Sequence, residues 1–300
     1  MREELCFVQF IHPGGEHLPE EGQTRIPWNA SQTPGRAPPN HKRKFLLSQG
    51  RHVRSPDQAK PEQAEIVFWG EWEAESETID DYGRGPGPRS LQSPYYVVPD
   101  SYEGCQNTDP FVFGETFFYT GCQQRPDLRR SQLCHLALGS VILFGSPLRK
   151  ERKFLLDTVL VVSDGPHPHR SLRDLSRLGL RGTPYWDVTA RPWYESAPRG
   201  GSCVGTGHFS LYRGAMFGER ADGMFSFFPC MPHDEQFRGI DRPAIDIDLV
   251  SPGKLQGVRL NRGICRDAVV EGWRAVAEQV MRAGLCLGVY AEVPEKRTAQ

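Results

Sequence analysis

The sequence predicts an α+β fold: a small β-barrel with flanking helices in residues 1–165, and a second mixed α/β lobe in residues 208–294. Three observations carry this expectation. A polar-aromatic loop at 107–114 leads into a short Leu-spaced helix and then two apolar strands, Val141–Phe144 and Phe154–Val162. Short runs rich in β-branched and aromatic residues, bounded by Gly and Pro, recur between Leu5 and Val98. Near the end, Val269, Trp273, Val276, Val280 and Met281 recur at helical spacing.

Taken in order, Leu5–Ile11 reads as a strand, stopped by the turn His12-Pro13-Gly14-Gly15. Residues 18–65 read as a loop-rich insertion, interrupted by a strand at Lys44–Leu47. Ile66–Trp72 and Tyr95–Val98 are further strands, with Gly/Pro loop at 79–94 between them. In the first of these, alternation puts Trp69, Glu71 and Glu73 on one face and Trp72 on the other. Pro126–Leu138 reads as a helix offering Leu128, Leu133 and Leu136 to the core, with Gly139 as its stop. Ser171 caps a short helix ending near Leu178, before Gly179. Residues 166–207 form a linker around that helix, and the Pro- and Gly-rich 181–207 is the crossing to the second half. Strands are expected at His208–Arg213, Gly223–Phe228 and Ala244–Val250. The helix Cys265–Ala283 stops at Gly284, and Leu285–Val293 closes the fold before a tail at 295–300.

Composition narrows the function classes. The chain has 300 residues, 38% of them hydrophobic, with 31 Gly and 25 Pro, which fits a loop-rich protein of one large or two ordinary domains. Its formal net charge is −1, so binding of nucleic acid by bulk charge is disfavoured, while a local basic surface stays open. Such a surface could come from 36–54, which holds six Lys or Arg and no acid. Residues 62–81 hold eight acids and no base. These blocks either face each other or are solvated surfaces. The eight cysteines show no C-x-x-C pair, Met1 leads into charged residues, and the apolar runs are too short to span a membrane. The expectation is a cytoplasmic protein with reduced thiols, no membrane partner, no metal and no cofactor.

Asp109-Pro110-Phe111, Phe113-Gly114, Leu133, Leu136, Gly139-Ser140 and Val141–Phe144 together resemble a bacterial family, the nucleotide modification associated domain of the third type. Ser140 stands where that family tends to have Asp, and the resemblance covers about residues 106–162. The layout is also similar to barrels of the PUA, ASCH and YTH group, which hold a nucleotide or a flipped base. The resemblance implies a nucleotide or nucleic-acid partner, in a setting of nucleic-acid modification or phage defence. It implies no catalytic residue.

Candidate site residues follow from side-chain chemistry. Trp28, Trp69 and Trp72 could stack on a base, or serve as core aromatics. Asn107, Thr108 and Asp109, beside Phe113, could read a polar base edge, or form an Asx-turn before Pro110. Lys42, Arg43, Lys44, Arg51 and Arg54 could contact phosphates. An enzyme reading, similar to ADP-ribosyltransferases or another transferase, would use Tyr212, Arg213 and Ser226 in the second lobe. His12, Glu16, His17, His167 and His169 lack diagnostic metal spacing. Cys203, His208 and Glu195 could be drawn as nucleophile, base and orienter without any local signature. Asp246 and Asp248 alternate on a strand and could chelate a metal or face solvent. A third class, an interaction protein without a small-molecule site, remains open.

Overall fold

The computed structural model describes residues 2–12, 14–17, 43–83, 87–102, 105, 107–124, 131–148, 150–195, 208–234, 239–254 and 256–298. It is an α+β fold dominated by strands and contains a small four-stranded closed barrel. The barrel joins β2 (Lys44–Val53), β3 (Glu62–Gly70), β10 (Phe228–Pro232) and β13 (Cys286–Ala291), with β13 returning to β2. At one end of this sheet, β5 (Ser90–Val97) runs parallel to the start of β2 and carries β4 (Ser76–Asp81) and β14 (Glu295–Arg297).

A second sheet is built around β1 (Phe7–Ile11), β7 (Val141–Leu148) and the long β8 (Lys153–His169). Beyond them lie β6 (Phe118–Tyr119), β9 (Phe209–Gly214), β11 (Ala244–Ile245) and β12 (Gly257–Asn261), in the order β12–β1–β7–β8–β9–β6, with β11 on β8. The central strands are buried along their whole apolar runs, as expected of strands covered on both faces. Phe227 bridges to Val159 and ties the two sheets together.

The first strand, the Val141 and Phe154 strands, the Ser171-capped helix and the C-terminal helix form where the sequence indicates. Ser171 accepts a hydrogen bond from Asp174 N at the start of α1 (Leu172–Arg177). The C-terminal helix, α3 (Arg266–Arg282), buries Val269, Trp273, Val276 and Val280. Trp273 packs edge-on against Phe225 and Phe227, and its Nε1 donates to Phe225 O at 3.0 Å. Deleting such a ring costs about 3–5 kcal/mol. Gly272 lets α3 approach closely, since a Cβ there would lie 2.7 Å from Leu249 Cδ1 and 2.9 Å from Phe7 Cε2.

Several expectations change. The barrel is assembled from both halves of the chain: β10 and β13 complete the barrel begun by β2 and β3. In the other sheet, β9 and β12 extend strands of the first half. A separate second lobe therefore does not emerge among the described residues. The residues at 295–297 form β14 rather than a tail. The helix expected at 126–138 is, in its described part, a single tight turn over Gln132–Cys134, although Leu133 and Leu136 are buried as anticipated. The described part of the crossing is helical: a wide π-type turn over Trp186–Ala190 runs into α2 (Arg191–Glu195). Proline hides this from a sequence reading. The ring at Pro192 cannot donate to the helical ladder, and the wide turn just before it takes up the disruption.

Candidate functional site

A chain of buried charged and polar groups begins where three segments leave their strands. His12 follows β1 directly; its backbone N–H donates to Gly145 O at 2.8 Å, and its ring stands edge-on to Phe10. Glu71 follows β3 directly. In the β2–β3 register Lys44 faces Gly70, so the next pair outward sets Arg43 beside Glu71. Cys122 lies in the turn after β6. Gly121, at φ 61°, makes that turn possible, because a Cβ there would lie 2.8 Å from the Trp193 ring.

These three residues converge. Nδ1 of His12 lies 2.6 and 2.8 Å from the two oxygens of Glu71, and Nε2 lies 3.0 Å from Cys122 Sγ. An ionised carboxylate can only accept, so Glu71 fixes the proton on Nδ1 and leaves Nε2 to accept from the thiol. Glu71 is in turn held by Arg43, whose fully buried guanidinium also binds His12 O at 2.7 Å and the carboxylate of Asp157. Burial works against the Arg43 cation, but Asp157 and Glu71 outweigh it and hold its pKa up.

Asp109 clamps the thiol turn, accepting from Thr120 N at 2.9 Å and Cys122 N at 3.1 Å. Burial raises the Asp109 carboxyl well above its ordinary range, against the pull of those two bonds. Burial, followed by the charges of Asp109, Glu71 and Glu73, pushes the Cys122 thiol well up. At neutral pH the sulfur is therefore a thiol, held against an imidazole that can take its proton. Cys122 itself keeps partial exposure. Thr108 links this region to Glu73 at 3.0 Å, and Asn107 is buried, its Nδ2 lacking a partner. On the far side of the turn, Thr120 hydrogen-bonds His169, which hydrogen-bonds Tyr194, both at 2.6 Å. Burial drives His169 down to about 3, so it stays neutral.

The same charge chain also reaches a surface cleft. Arg242 shares Asp157 with Arg43 and donates to Ser146 Oγ at 2.6 Å. It lines a cavity of about 480 Å³ with Arg43, Trp69, Leu155, Asp241 and Ala244.

The structure distributes the expected site residues unevenly. Asn107, Thr108 and Asp109 lie beside the thiol turn; the side chains of Thr108 and Asp109 serve the protein's own hydrogen bonds, and Asn107 Nδ2 has no partner among the described residues. Trp72 is fully buried, edge-on to the buried Phe113, and donates to Glu75 O. Trp69 lines the cleft. Arg43 and Lys44 are fully buried, which takes them away from surface phosphates; Lys44 donates to Ala74 O at 2.6 Å. Arg51 and Arg54 sit at the surface with Glu115 and Glu62. Trp28, Lys42 and Cys203 lie outside the described residues.

In the alternative site, the Tyr212 hydroxyl bridges Leu133 O and Leu136 N, and Ser226 Oγ accepts from Val161 N. Both are committed to holding backbone. Arg213 lies 3.6 Å from Asp164 and lines a separate pocket. His167 pairs with Asp164, Glu16 accepts from Arg89 N and Ser90 N, and His17 N–H donates to Arg43 O. Among the described residues no group of three or more His, Cys, Asp or Glu could hold a metal. Glu195 pairs with Arg191, His208 lies against Arg170, and Asp246 and Asp248 are exposed.

Sequence reasoning missed Cys122, and it placed His12 and Glu71 in other roles. A thiol in a glycine turn has no local signature, and the imidazole beside it stands 110 residues away. Among the described residues no helix is long and apolar enough to cross a membrane. No family model, curated protein or solved structure matches this chain.

Proposed function

We propose that this chain is a thiol-dependent enzyme in which Cys122 is the nucleophile, His12 its general base and Glu71 the group that orients the base. The observation that carries this reading is the alignment of Cys122 Sγ, His12 Nε2 and His12 Nδ1 with both Glu71 oxygens. A nucleophile within hydrogen-bond reach of a base, with the base held by a third group, is the geometry of covalent catalysis. The reaction class it suits is acyl transfer or hydrolysis. Sγ bonds to the acyl carbon as its proton passes to His12 Nε2. Glu71 stabilises the imidazolium, which then protonates the leaving group. Water, deprotonated by His12, attacks the thioester and releases the thiol.

The test is site-resolved alkylation of the native protein with iodoacetamide, read by mass spectrometry. His12→Gln should slow labelling of Cys122 by about a hundredfold or more, the range for loss of a positioned base. If the variant stays folded and Cys122 labels faster, His12 only shields the thiol and the reading fails. Glu71→Gln should give a smaller slowing in the same direction.

The nucleotide or modified-base ligand implied by the resemblance is the second reading. One observation favours it: Trp69, one of the three tryptophans expected to stack, lines the cleft beside Arg43 and Arg242.

A further inference from the structure

The cleft between the barrel and β8 has the attributes of a small-molecule site. Its volume of about 480 Å³ suits a ligand the size of a mononucleotide, and its wall combines an apolar side with a cation. Trp69, Leu148, Leu155 and Ala244 form the apolar side. The Trp69 ring is fixed in place, because Nε1 donates to Ile240 O at 2.8 Å and Phe45 packs on it at 5.4 Å.

Most charged groups in the wall already have partners. Lys153 binds Glu151 at 2.6 Å, Glu16 accepts backbone N–H groups, and Arg43 binds Asp157 and Glu71. Two groups differ. Arg242 uses only Nη1, on Ser146 and Asp157, so Nε and Nη2 have no acceptor among the described residues. Its side chain is 17% exposed, and its guanidinium lies 5.8 Å from the centre of the Trp69 ring. Asp241, next in the chain, forms no hydrogen bond or ion pair among the described residues. Burial presses Arg242 toward losing its proton, Asp157 opposes that, and the neighbouring Arg43 cation adds to the pressure.

We propose that this cleft binds a small molecule joining a planar, amino-bearing ring to an oxyanion. The oxyanion takes the free Nε and Nη2 edge of Arg242, which suits a phosphate or a carboxylate. The ring lies along the Trp69 side, and its amino edge donates to Asp241. This inference deepens the second reading above and is independent of the thiol chemistry.

The experiment is isothermal titration of the full chain with AMP, adenosine, inorganic phosphate and indole-3-acetate. AMP should bind saturably, with adenosine and phosphate each weaker by about tenfold or more, the size of effect expected from one lost charge-assisted contact. Arg242→Gln should reduce AMP binding by a similar factor. Because Arg242 also supports buried Asp157, a second variant is needed: Ala244→Glu, at an exposed position, puts a carboxylate in the cleft and should also abolish binding. Indole-3-acetate binding that depends on Arg242 in place of AMP would identify the oxyanion as a carboxylate and uphold the class. Adenosine binding as tightly as AMP would overturn the role of Arg242 yet leave the nucleotide reading standing. Phosphate binding as tightly as AMP, AMP binding unaffected by both variants, or no binding of any probe would overturn the proposal. None of these outcomes bears on labelling of Cys122, so the two readings fail separately.

Discussion

Cys122 Sγ and His12 Nε2 lie 3.0 Å apart although 110 residues separate them in the chain. Neither side chain could hold this position by local structure alone. His12 is fixed by the end of β1 and by Glu71, and Cys122 by the clamp of Asp109 on its own N–H. The thiol and the imidazole are thus positioned by anchors on two different segments.

Asp109 is the first place to test this arrangement. Asp109→Asn keeps the shape but offers one acceptor oxygen where Thr120 N and Cys122 N each have one now. Leaving a buried N–H unpaired costs about 1–3 kcal/mol, so urea denaturation should show a loss of that order. The substitution also removes a negative charge that, after burial, opposes ionisation of Cys122. The pH profile for alkylation of Cys122 should therefore move to lower pH. A profile that stays in place would show that Asp109 does not face the thiol.

Much of this fold was legible in the sequence, and the site was not, for physical reasons. Ser171 before a Leu-spaced run and Val269 to Val280 at helical spacing are local signals, and both helices form there. Glu71 and Glu73 sit in a run of acids that resembles a solvated face. They are buried because β3 ends at Gly70 and the β2 register brings Arg43 alongside. The opposed charge blocks do meet, at Arg43 and Glu71 deep in the protein and at Arg54 and Glu62 on its surface. Cys122 carries no local signal at all, since its partners are set by tertiary contacts alone.

Arg43 provides a sharper contrast. As a phosphate contact, its loss would weaken nucleic-acid binding and spare the fold. Its guanidinium is instead the shared partner of Asp157 and Glu71, with no exposure. Removing one member of a buried ion pair leaves its partners uncompensated, at a cost of about 3–5 kcal/mol. Arg43→Ala should thus lower the melting temperature strongly. A variant that melts like the parent but binds nucleic acid less well would overturn the buried assignment.

His169 should govern part of the acid sensitivity. Its pKa falls from 6.5 in the unfolded chain to about 3 in the fold, because burial penalises the imidazolium. Between those values the unfolded chain binds the extra proton, so stability is complete above 6.5 and is lost as pH falls toward 3. His169→Gln removes the titrating ring. Chemical denaturation across that window should show a shallower decline in the variant than in the parent, and parallel declines would mean that His169 is protonated without cost.

Lys44 should act in the opposite pH range. Its ammonium is fully buried against Ala74 O, and burial lowers its pKa from 10.5 to about 7, with Glu73 and Glu75 opposing that fall. Between those values the unfolded chain binds the extra proton. Stability contributed by Lys44 is therefore complete above 10.5 and is lost as pH falls toward 7, with a slope that approaches about 1.4 kcal/mol per pH unit. Lys44→Met keeps the length of the side chain and removes the titration, though it leaves Ala74 O without its donor. Denaturation midpoints of parent and variant, measured from pH 7 to 10, should show the parent gaining on the variant as pH rises. A constant difference across the range would mean that Lys44 keeps an ordinary pKa, and so that its ammonium reaches water.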